Sequence, residues 1–283
     1  MPTIRISFQL PYFLLLTNGE YDTPIIGGSV RLTAKSIRTA DGLDVKRTVA
    51  SSFFDIPNDT DAATREEQRR KESYRLLNRV NHLLRWYRAT TGDASIVELT
   101  RVSASPFWFA LKGGRTNWCE PLEYEPRSAP EPRLASVPTG RKIRKGLNGG
   151  MEPDVATLNL LDAEYALSVG RFRDAVLLCW GAIDSTFVRK FDSLVDSKME
   201  GDWPPALEFL KGFNFGLRHK MTSGLRLLGG RSLYKEPDDY WKEMTESYRC
   251  RNRIIHEGAA ATEQEAESAI TIARKMVDVV ADL

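Results

Sequence analysis

The chain has 283 residues, of which 42% are hydrophobic and 28% charged, and its formal net charge at pH 7 is +2. An apolar fraction of this size with so little net charge excludes a mainly disordered chain, and the length suits two ordinary domains. The longest apolar run, at residues 11–16, is far shorter than the roughly 20 residues of a membrane span. We therefore expect a cytoplasmic protein with no membrane partner.

Residues 1–119 predict a domain of mixed α+β structure. A long amphipathic helix is predicted at 62–89, where apolar residues recur every three or four positions. Asp59, Thr60 and Asp61 are candidate N-caps for this helix, and Gly92 is a natural stop. On it, His82 has no acidic or nucleophilic companion at helical spacing, which predicts a packing or surface role. Five other segments alternate or cluster apolar, β-branched and aromatic residues, as strands do: 4–10, 29–33, 45–54, 96–102 and 107–111.

Residues 120–152 predict a linker, because they are rich in proline and end in glycines. The linker carries a basic run made of Arg141, Lys142, Arg144 and Lys145. Such a run can bind RNA phosphates, or it can simply be solvated. The charge of the chain is also asymmetric. Residues 1–150 hold 23 Lys and Arg against 16 Asp and Glu, whereas residues 151–283 hold 17 against 22.

Residues 153–283 predict an all-α helical bundle, because each predicted helix has one apolar stripe that needs partner helices. Thr262 to Glu265 forms a capping-box pattern at the start of the last helix. The predicted helices are 155–169, 171–195, 205–228, 237–255 and 262–281.

Two charged residues interrupt these stripes. Arg251 falls in the stripe of the fourth helix and Asp184 in that of the second. Because a buried unpaired charge is costly, each needs a partner, a cleft filled with water or a subunit interface. The simplest arrangement has the two side chains facing each other as a buried ion pair.

Arg251 also begins the string Arg-Asn-Arg-Ile-Ile-His. On a helix, Asn252 and His256 lie about 40° apart, whereas Arg251 and His256 lie about 140° apart. Arg251 must therefore curl around the helix to meet His256, or each must meet a second copy across an interface. Gly258 is a natural helix end, which predicts an uncrowded position for the imidazole.

This string and the segment Gly170 to Asp184 resemble the HEPN domain, named for higher eukaryotes and prokaryotes nucleotide-binding. The resemblance covers residues 155–283. It implies an antiparallel helical bundle that dimerises and brings two copies of the motif into one cleft. Many members are metal-independent endoribonucleases of toxin–antitoxin, CRISPR-associated and antiphage systems, and others are catalytically silent binding modules.

The resemblance implies that Arg251 and His256 are catalytic, that Asn252 orients the site and that Asp184 holds the guanidinium. The residue types suit the chemistry, because an imidazole can move a proton near neutral pH and a guanidinium can stabilise phosphate charge. Neither a cofactor nor a metal is expected. The three cysteines and three histidines are too scattered for a metal cluster.

The sequence therefore predicts a metal-independent endoribonuclease that acts as a toxin or antiviral-defence effector. Its expected partners are RNA, a second copy of the chain, and a trigger or antitoxin, with the first domain selecting the target or sensing the trigger. The alternative is a catalytically silent module for dimerisation and nucleotide or protein binding. A third interpretation is a structural bundle in which Arg251 and Asp184 form only a buried pair.

Overall fold

The chain forms two compact units, Met1–Pro153 and Asp154–Leu283. The first is α+β and the second is helical, as the sequence predicts. The computed structural model describes residues 3–38, 44–57, 60–101, 104, 106–111, 117–119, 137–198, 204–211, 216–229, 232–235 and 240–281.

The first unit contains a six-stranded antiparallel sheet with the strand order β2-β3-β4-β1-β5-β6. Four of the predicted strands are confirmed as β1, β3, β4 and β5, and β2 and β6 were not predicted. The strands are β1 (Thr3–Gln9), β2 (Gly19–Asp22), β3 (Ser29–Arg38), β4 (Asp44–Asp55), β5 (Trp108–Leu111) and β6 (Asn117–Cys119).

Helix α1 (Ala62–Thr91) covers one face of this sheet. Asp61 caps its first turn by accepting a hydrogen bond from the Thr64 backbone N–H, and Gly92 ends it with a φ of 69°. The core between helix and sheet contains the alternate β1 residues Ile4, Ile6 and Phe8 together with α1 residues that share one face: Leu76, Leu77, Val80, Leu83 and Leu84.

The predicted strand at 96–102 is wrong over its described residues, because 96–101 pair with no strand. The Asn81 side chain replaces the sheet partner, since its Oδ1 accepts from the Leu99 N–H and its Nδ2 donates to the Leu99 carbonyl, both at 2.8 Å. Ile96 and Leu99 are buried. The apolar pattern therefore marks burial and not a strand.

His82 has the predicted packing role. Its side chain is fully buried on α1, with Nε2 3.4 Å from the Met151 carbonyl and 3.7 Å from a Glu152 carboxylate oxygen. Trp86 on the same helix donates its indole N–H to the Met151 carbonyl at 3.1 Å. Residues 151 and 152 thus lie against α1.

The second half of the predicted linker is a helix, α2 (Val137–Asn148), which belongs to the first unit. Ile143 and Leu147 are fully buried in the same core as α1. These residues are four apart and so share one helix face, whereas their basic neighbours point outward. Residues 120–136 of the predicted linker lie outside the described residues.

The second unit is a bundle built around α3 (Val155–Ser168), α4 (Phe172–Lys198), α8 (Tyr240–Glu257) and α9 (Glu263–Ala281). The predicted capping box of α9 is confirmed, because the Glu265 N–H donates to the Thr262 hydroxyl and the Thr262 N–H donates to the Glu265 carboxylate. Apolar side chains from all four helices form one core, among them Ala166, Ile183, Phe187, Met244, Ile254, Ala273 and Met276.

The predicted continuous helix at 205–228 is wrong. The structure has short helices there, with residues 212–215 outside the description. Lys220 lies in the π-helical turn and its Nζ donates to the Lys211 carbonyl at 3.0 Å, which joins two of the pieces. The pieces are α5 (Pro204–Lys211), α6 (Leu217–His219), a π-helical turn (Lys220–Gly224) and α7 (Leu225–Gly229).

Candidate active site

The predicted site residues Arg251, Asn252 and His256 lie in the last two turns of α8. The helix ends as predicted at Gly258, which has a φ of 68°. The Ala259 N–H then donates to the Arg253 carbonyl at 3.4 Å, across the end of the helix. This ending holds the last helical turn in a defined conformation.

Arg251 is half-buried and bonded to its neighbour in sequence. Its Nη1 donates to the Asn252 Oδ1 at 2.9 Å. The guanidinium carbon lies 6.0 Å from the centre of the Tyr248 ring. Asn252 and Tyr248 therefore restrict the guanidinium from two sides. The proximity of the Tyr248 ring to the guanidinium was not predicted. Its position three residues before Arg251 nevertheless places it on a neighbouring part of the helix surface.

Asp184 approaches this group from α4. Trp180 donates its indole N–H to the Ser247 hydroxyl at 3.1 Å, and its ring lies 5.1 Å from that of Tyr248. Asp184 lies four residues after Trp180, and Arg251 lies four residues after Ser247. Burial raises the pKa of Asp184, and the charge of Arg251 offsets this only in part.

The two charges are close enough to interact, but no salt bridge joins Asp184 to Arg251 within the described structure. The guanidinium instead makes its hydrogen bond to Asn252. The predicted stripe containing Arg251 needs a related correction, because Ile255 in that stripe is 45% exposed while Ile254 is fully buried. The buried face of α8 therefore consists of Tyr240, Met244, Ser247, Cys250 and Ile254.

His256 lies one turn after Asn252, and its side chain is exposed. No hydrogen bond or ion pair connects it to Arg251 among the contacts of the described residues. The 140° between the two positions on the helix accounts for this separation. One chain thus presents a restrained guanidinium and an accessible imidazole on different sides of the same helix end.

The four residues of the predicted basic run lie on α2 and are exposed. Arg144 packs on its own domain, because its guanidinium carbon lies 4.6 Å from the Tyr21 ring centre and its Nη2 donates to the Thr17 hydroxyl at 3.3 Å. Arg141, Lys142 and Lys145 extend the positive charge along the outer face of the helix.

An open groove of about 660 Å³ lies between α8 and α9. Several carboxylates line it, including Glu243, Glu246 and Glu267. Arg251, Asn252 and His256 are not among the residues that line this groove. This acidic groove is unsuited to a phosphate backbone. The arginine and histidine at the end of α8 therefore remain the candidate catalytic groups.

Cysteine chemistry is not favoured in the bundle. Cys179 is fully buried in α4, and burial raises the pKa of its thiol to about 12, so the nucleophilic thiolate is scarce at neutral pH. Over the described ranges, no three His, Cys, Asp or Glu side chains come together in a way that could hold a metal ion. No helix in those ranges has the length and apolar character of a membrane span.

No family model, curated protein or solved structure matches this chain.

Proposed function

We propose that the chain is a metal-independent endoribonuclease of the HEPN type. The observation that carries the proposal is the end of α8, where Asn252 restrains the half-buried Arg251 guanidinium and His256 is exposed one turn later. Cleavage of RNA by its own 2′-hydroxyl is accelerated by a positioned cation and by a group that transfers protons.

In the proposed reaction, the 2′-oxygen attacks the adjacent phosphorus and the bond from phosphorus to the 5′-oxygen breaks. His256 takes the proton from the 2′-hydroxyl and then returns it to the departing 5′-oxygen, and Arg251 stabilises the negative charge on the phosphoryl oxygens. The products are a 2′,3′-cyclic phosphate and a 5′-hydroxyl. Asn252 orients the guanidinium through its Oδ1, and Asp184 contributes a nearby carboxyl group.

We further propose that the complete site forms between two copies of the chain. Arg251 and His256 of one chain lie on different sides of α8, so a second copy can supply the missing group to each. Ile255, between them in sequence, is 45% exposed. An exposed apolar residue beside the site is suited to a contact between copies.

The biological setting that we propose is a toxin or defence effector. The first unit would select the RNA or respond to a trigger or antitoxin. The exposed basic residues of α2 would contribute phosphate contacts through Arg141, Lys142 and Lys145. A catalytically silent dimerisation module is the alternative that the following experiment separates from this proposal.

The test is to incubate the purified full chain with mixed RNA in EDTA and to determine the chemistry of the product ends. We expect the wild type to leave 2′,3′-cyclic phosphates, and Arg251→Ala and His256→Ala each to abolish cleavage. Arg249→Ala is the matched control, because Arg249 is an exposed arginine on the same helix. Circular dichroism and size-exclusion chromatography establish that all variants remain folded.

Cleavage by wild type and Arg249→Ala alone supports the proposal. Equal cleavage by all four proteins reveals a contaminating nuclease and contradicts the assignment of the site. Absence of cleavage by a folded wild-type protein across a panel of RNAs favours the silent module.

A further inference from the structure

The sheet of the first unit has a second face, opposite the one that packs against α1. Side chains alternate between the two faces along β1, so Ile4, Ile6 and Phe8 are buried whereas Arg5 is exposed. The outward face therefore contains the β1 residues Arg5 and Ser7 together with their partners on the neighbouring strands.

The strand register places two aromatic rings on this outward face. Phe53 of β4 is directly opposite Arg5, and Trp108 of β5 is directly opposite Ser7. Phe53 is 42% exposed and Trp108 is 48% exposed. Two strand spacings and two residues of rise separate their backbone positions by about 12 Å.

Three positions between the rings carry small side chains, namely Ser7, Ser51 and Ala110. Ser51 is the other partner of Ser7, and Ala110 is the other partner of Arg5. Neither side chain rises far above the sheet. The rings thus border a shallow surface that can accept flat groups, and the three small positions between them leave room for a sugar and phosphate.

Cationic side chains lie near the two aromatic rings. Arg5 projects from the strand between them, and the Arg31 guanidinium carbon of β3 lies 6.0 Å from the Phe53 ring centre. Lys35 continues the charge along β3 and is exposed. The edge strand β2 adds Glu20, whose carboxylate is 4.0 Å from Arg31. Arg5 and Arg31 therefore lie nearest the centre of the face, whereas its carboxylates Glu20, Asp22 and Asp55 lie on the edge strand or at a strand end.

We propose that this outward sheet face binds single-stranded RNA. Exposed aromatic rings stack on bases that are not held in a duplex, and neighbouring cations contact the phosphates that connect those bases. Phe53 and Trp108 each stack on one base, while Arg5 and Arg31 contact the backbone. The choice of RNA over single-stranded DNA rests on the proposed ribonuclease function, whereas the stacking and charge arguments do not.

The outward sheet face is less suited to a nucleic-acid duplex or to a protein partner. A duplex hides its base faces, so two exposed rings offer it little. A protein partner would not require cations beside both rings, whereas a polyanion does. The predominance of Lys and Arg over Asp and Glu in residues 1–150 agrees with a nucleic-acid ligand.

The experiment measures fluorescence anisotropy of a labelled single-stranded RNA of about 12 nucleotides, within the usual length range of such sites. The protein is the full chain with His256→Ala, so that cleavage does not interfere with binding. We expect Phe53→Ala and Trp108→Ala each to weaken binding by roughly 5- to 150-fold, which is the range for loss of one stacked base. Affinity should also fall as salt concentration rises.

Two variants serve as controls. Trp108→Phe preserves a stacking ring, so we expect it to retain most of the affinity that Trp108→Ala loses. Tyr74→Ala removes another exposed aromatic side chain, on α1 and outside the sheet face, and we expect unchanged binding. Thermal denaturation of each variant separates loss of the ligand contact from loss of folding.

Unchanged affinity in both alanine variants overturns the proposal, as does equal binding of an RNA duplex. Equal binding of single-stranded DNA overturns the choice of RNA. The result is separable from that of the proposed catalysis. If the alanine variants weaken binding but the wild type cleaves no RNA, the result supports RNA binding by the sheet face and not the ribonuclease activity. If the wild type cleaves RNA but neither Phe53→Ala nor Trp108→Ala affects binding, the result supports the ribonuclease activity and not RNA binding by the sheet face.

Discussion

At the scale of single residues, the hydrogen bond between Arg251 and Asn252 distinguishes arginine from lysine at the candidate site. One guanidinium nitrogen donates to Asn252, and in the proposed reaction other N–H groups contact the phosphate. A lysine has a single ammonium group on a flexible chain and cannot reproduce this arrangement. We expect Arg251→Lys to retain the fold but to lower the rate of RNA cleavage by about 100-fold.

The measurement is the single-turnover cleavage rate with saturating protein. Lys242→Arg, an exchange at an exposed position of the same helix, is the control and should leave the rate unchanged. A cleavage rate for Arg251→Lys equal to that of the wild type would show that a positive charge suffices and that the bond to Asn252 has no role.

His82 provides a second prediction at this scale, for stability. Burial lowers the pKa of His82 below its ordinary value, although Glu152 and the Met151 carbonyl act in the opposite direction. Below about pH 6.5 the unfolded chain takes up a proton that the folded chain does not, so the free energy of unfolding falls as the pH falls. The slope from this one group is at most about 1.4 kcal/mol per pH unit.

Urea denaturation at several pH values between about 5 and 8 measures this slope across the ordinary histidine range. We expect His82→Gln, which cannot titrate, to show a shallower loss of stability at acid pH than the wild type. The comparison uses slopes, so a constant difference in stability between the two proteins does not affect it. Parallel curves would refute a contribution from His82.

At the scale of elements, the contact between α1 and α2 depends on a glycine. A Cβ atom on Gly146 would lie 2.5 Å from the Trp86 ring, which the bond to the Met151 carbonyl holds in place. The two helices would have to separate to admit it. We expect Gly146→Ala to lower the free energy of unfolding of the first unit by about 1–3 kcal/mol, the usual cost of overpacking.

Gly140 on the same helix is the matched control, because a Cβ there would meet only a Leu16 methyl group at 4.0 Å. Gly140→Ala should leave stability unchanged or raise it slightly, since alanine favours a helix more than glycine does. Chemical denaturation compares the two variants with the wild type. Equal effects of the two substitutions would mean that Trp86 does not pack against α2 in solution.

At the scale of the whole molecule, the separation of Arg251 and His256 on α8 predicts complementation between inactive chains. Mixing Arg251→Ala with His256→Ala gives some dimers in which one chain supplies the arginine and the other the histidine. If the site is shared between copies, those dimers contain one intact pair. We expect the mixture to recover about a quarter of the wild-type cleavage rate, because half of randomly formed dimers are mixed and each has one of two sites.

The assay refolds or co-expresses the two variants and compares the mixture with each variant alone. A site contained in one chain would give no recovery in the mixture. Light scattering of the same samples determines whether dimers form. A monomeric wild-type protein that cleaves RNA would also refute a shared site.

Much of the fold was predictable from the sequence because it depends on local patterns. The period of apolar residues and the caps Asp61, Gly92, Thr262 and Gly258 located α1, the start of α9 and the end of α8. The pattern failed where burial had another cause. Ile96 and Leu99 are buried without belonging to a strand. Helix α2 was not predicted because its proline and basic residues outnumber the buried Ile143 and Leu147.

Some features of the candidate site were likewise predictable from local sequence, and others were not. Adjacency in sequence and helical spacing are local properties, so the sequence was enough to predict that Arg251, Asn252 and His256 share the end of one helix. Which side chains contact the guanidinium depends on how helices pack, since residues distant in sequence become neighbours only in the folded chain. The packing of α4 against α8 therefore places Asp184 near Arg251 without an ion pair between them, which the sequence could not show. Tertiary structure also decided, through strand register, that Phe53 and Trp108 flank Arg5 on one face of the sheet.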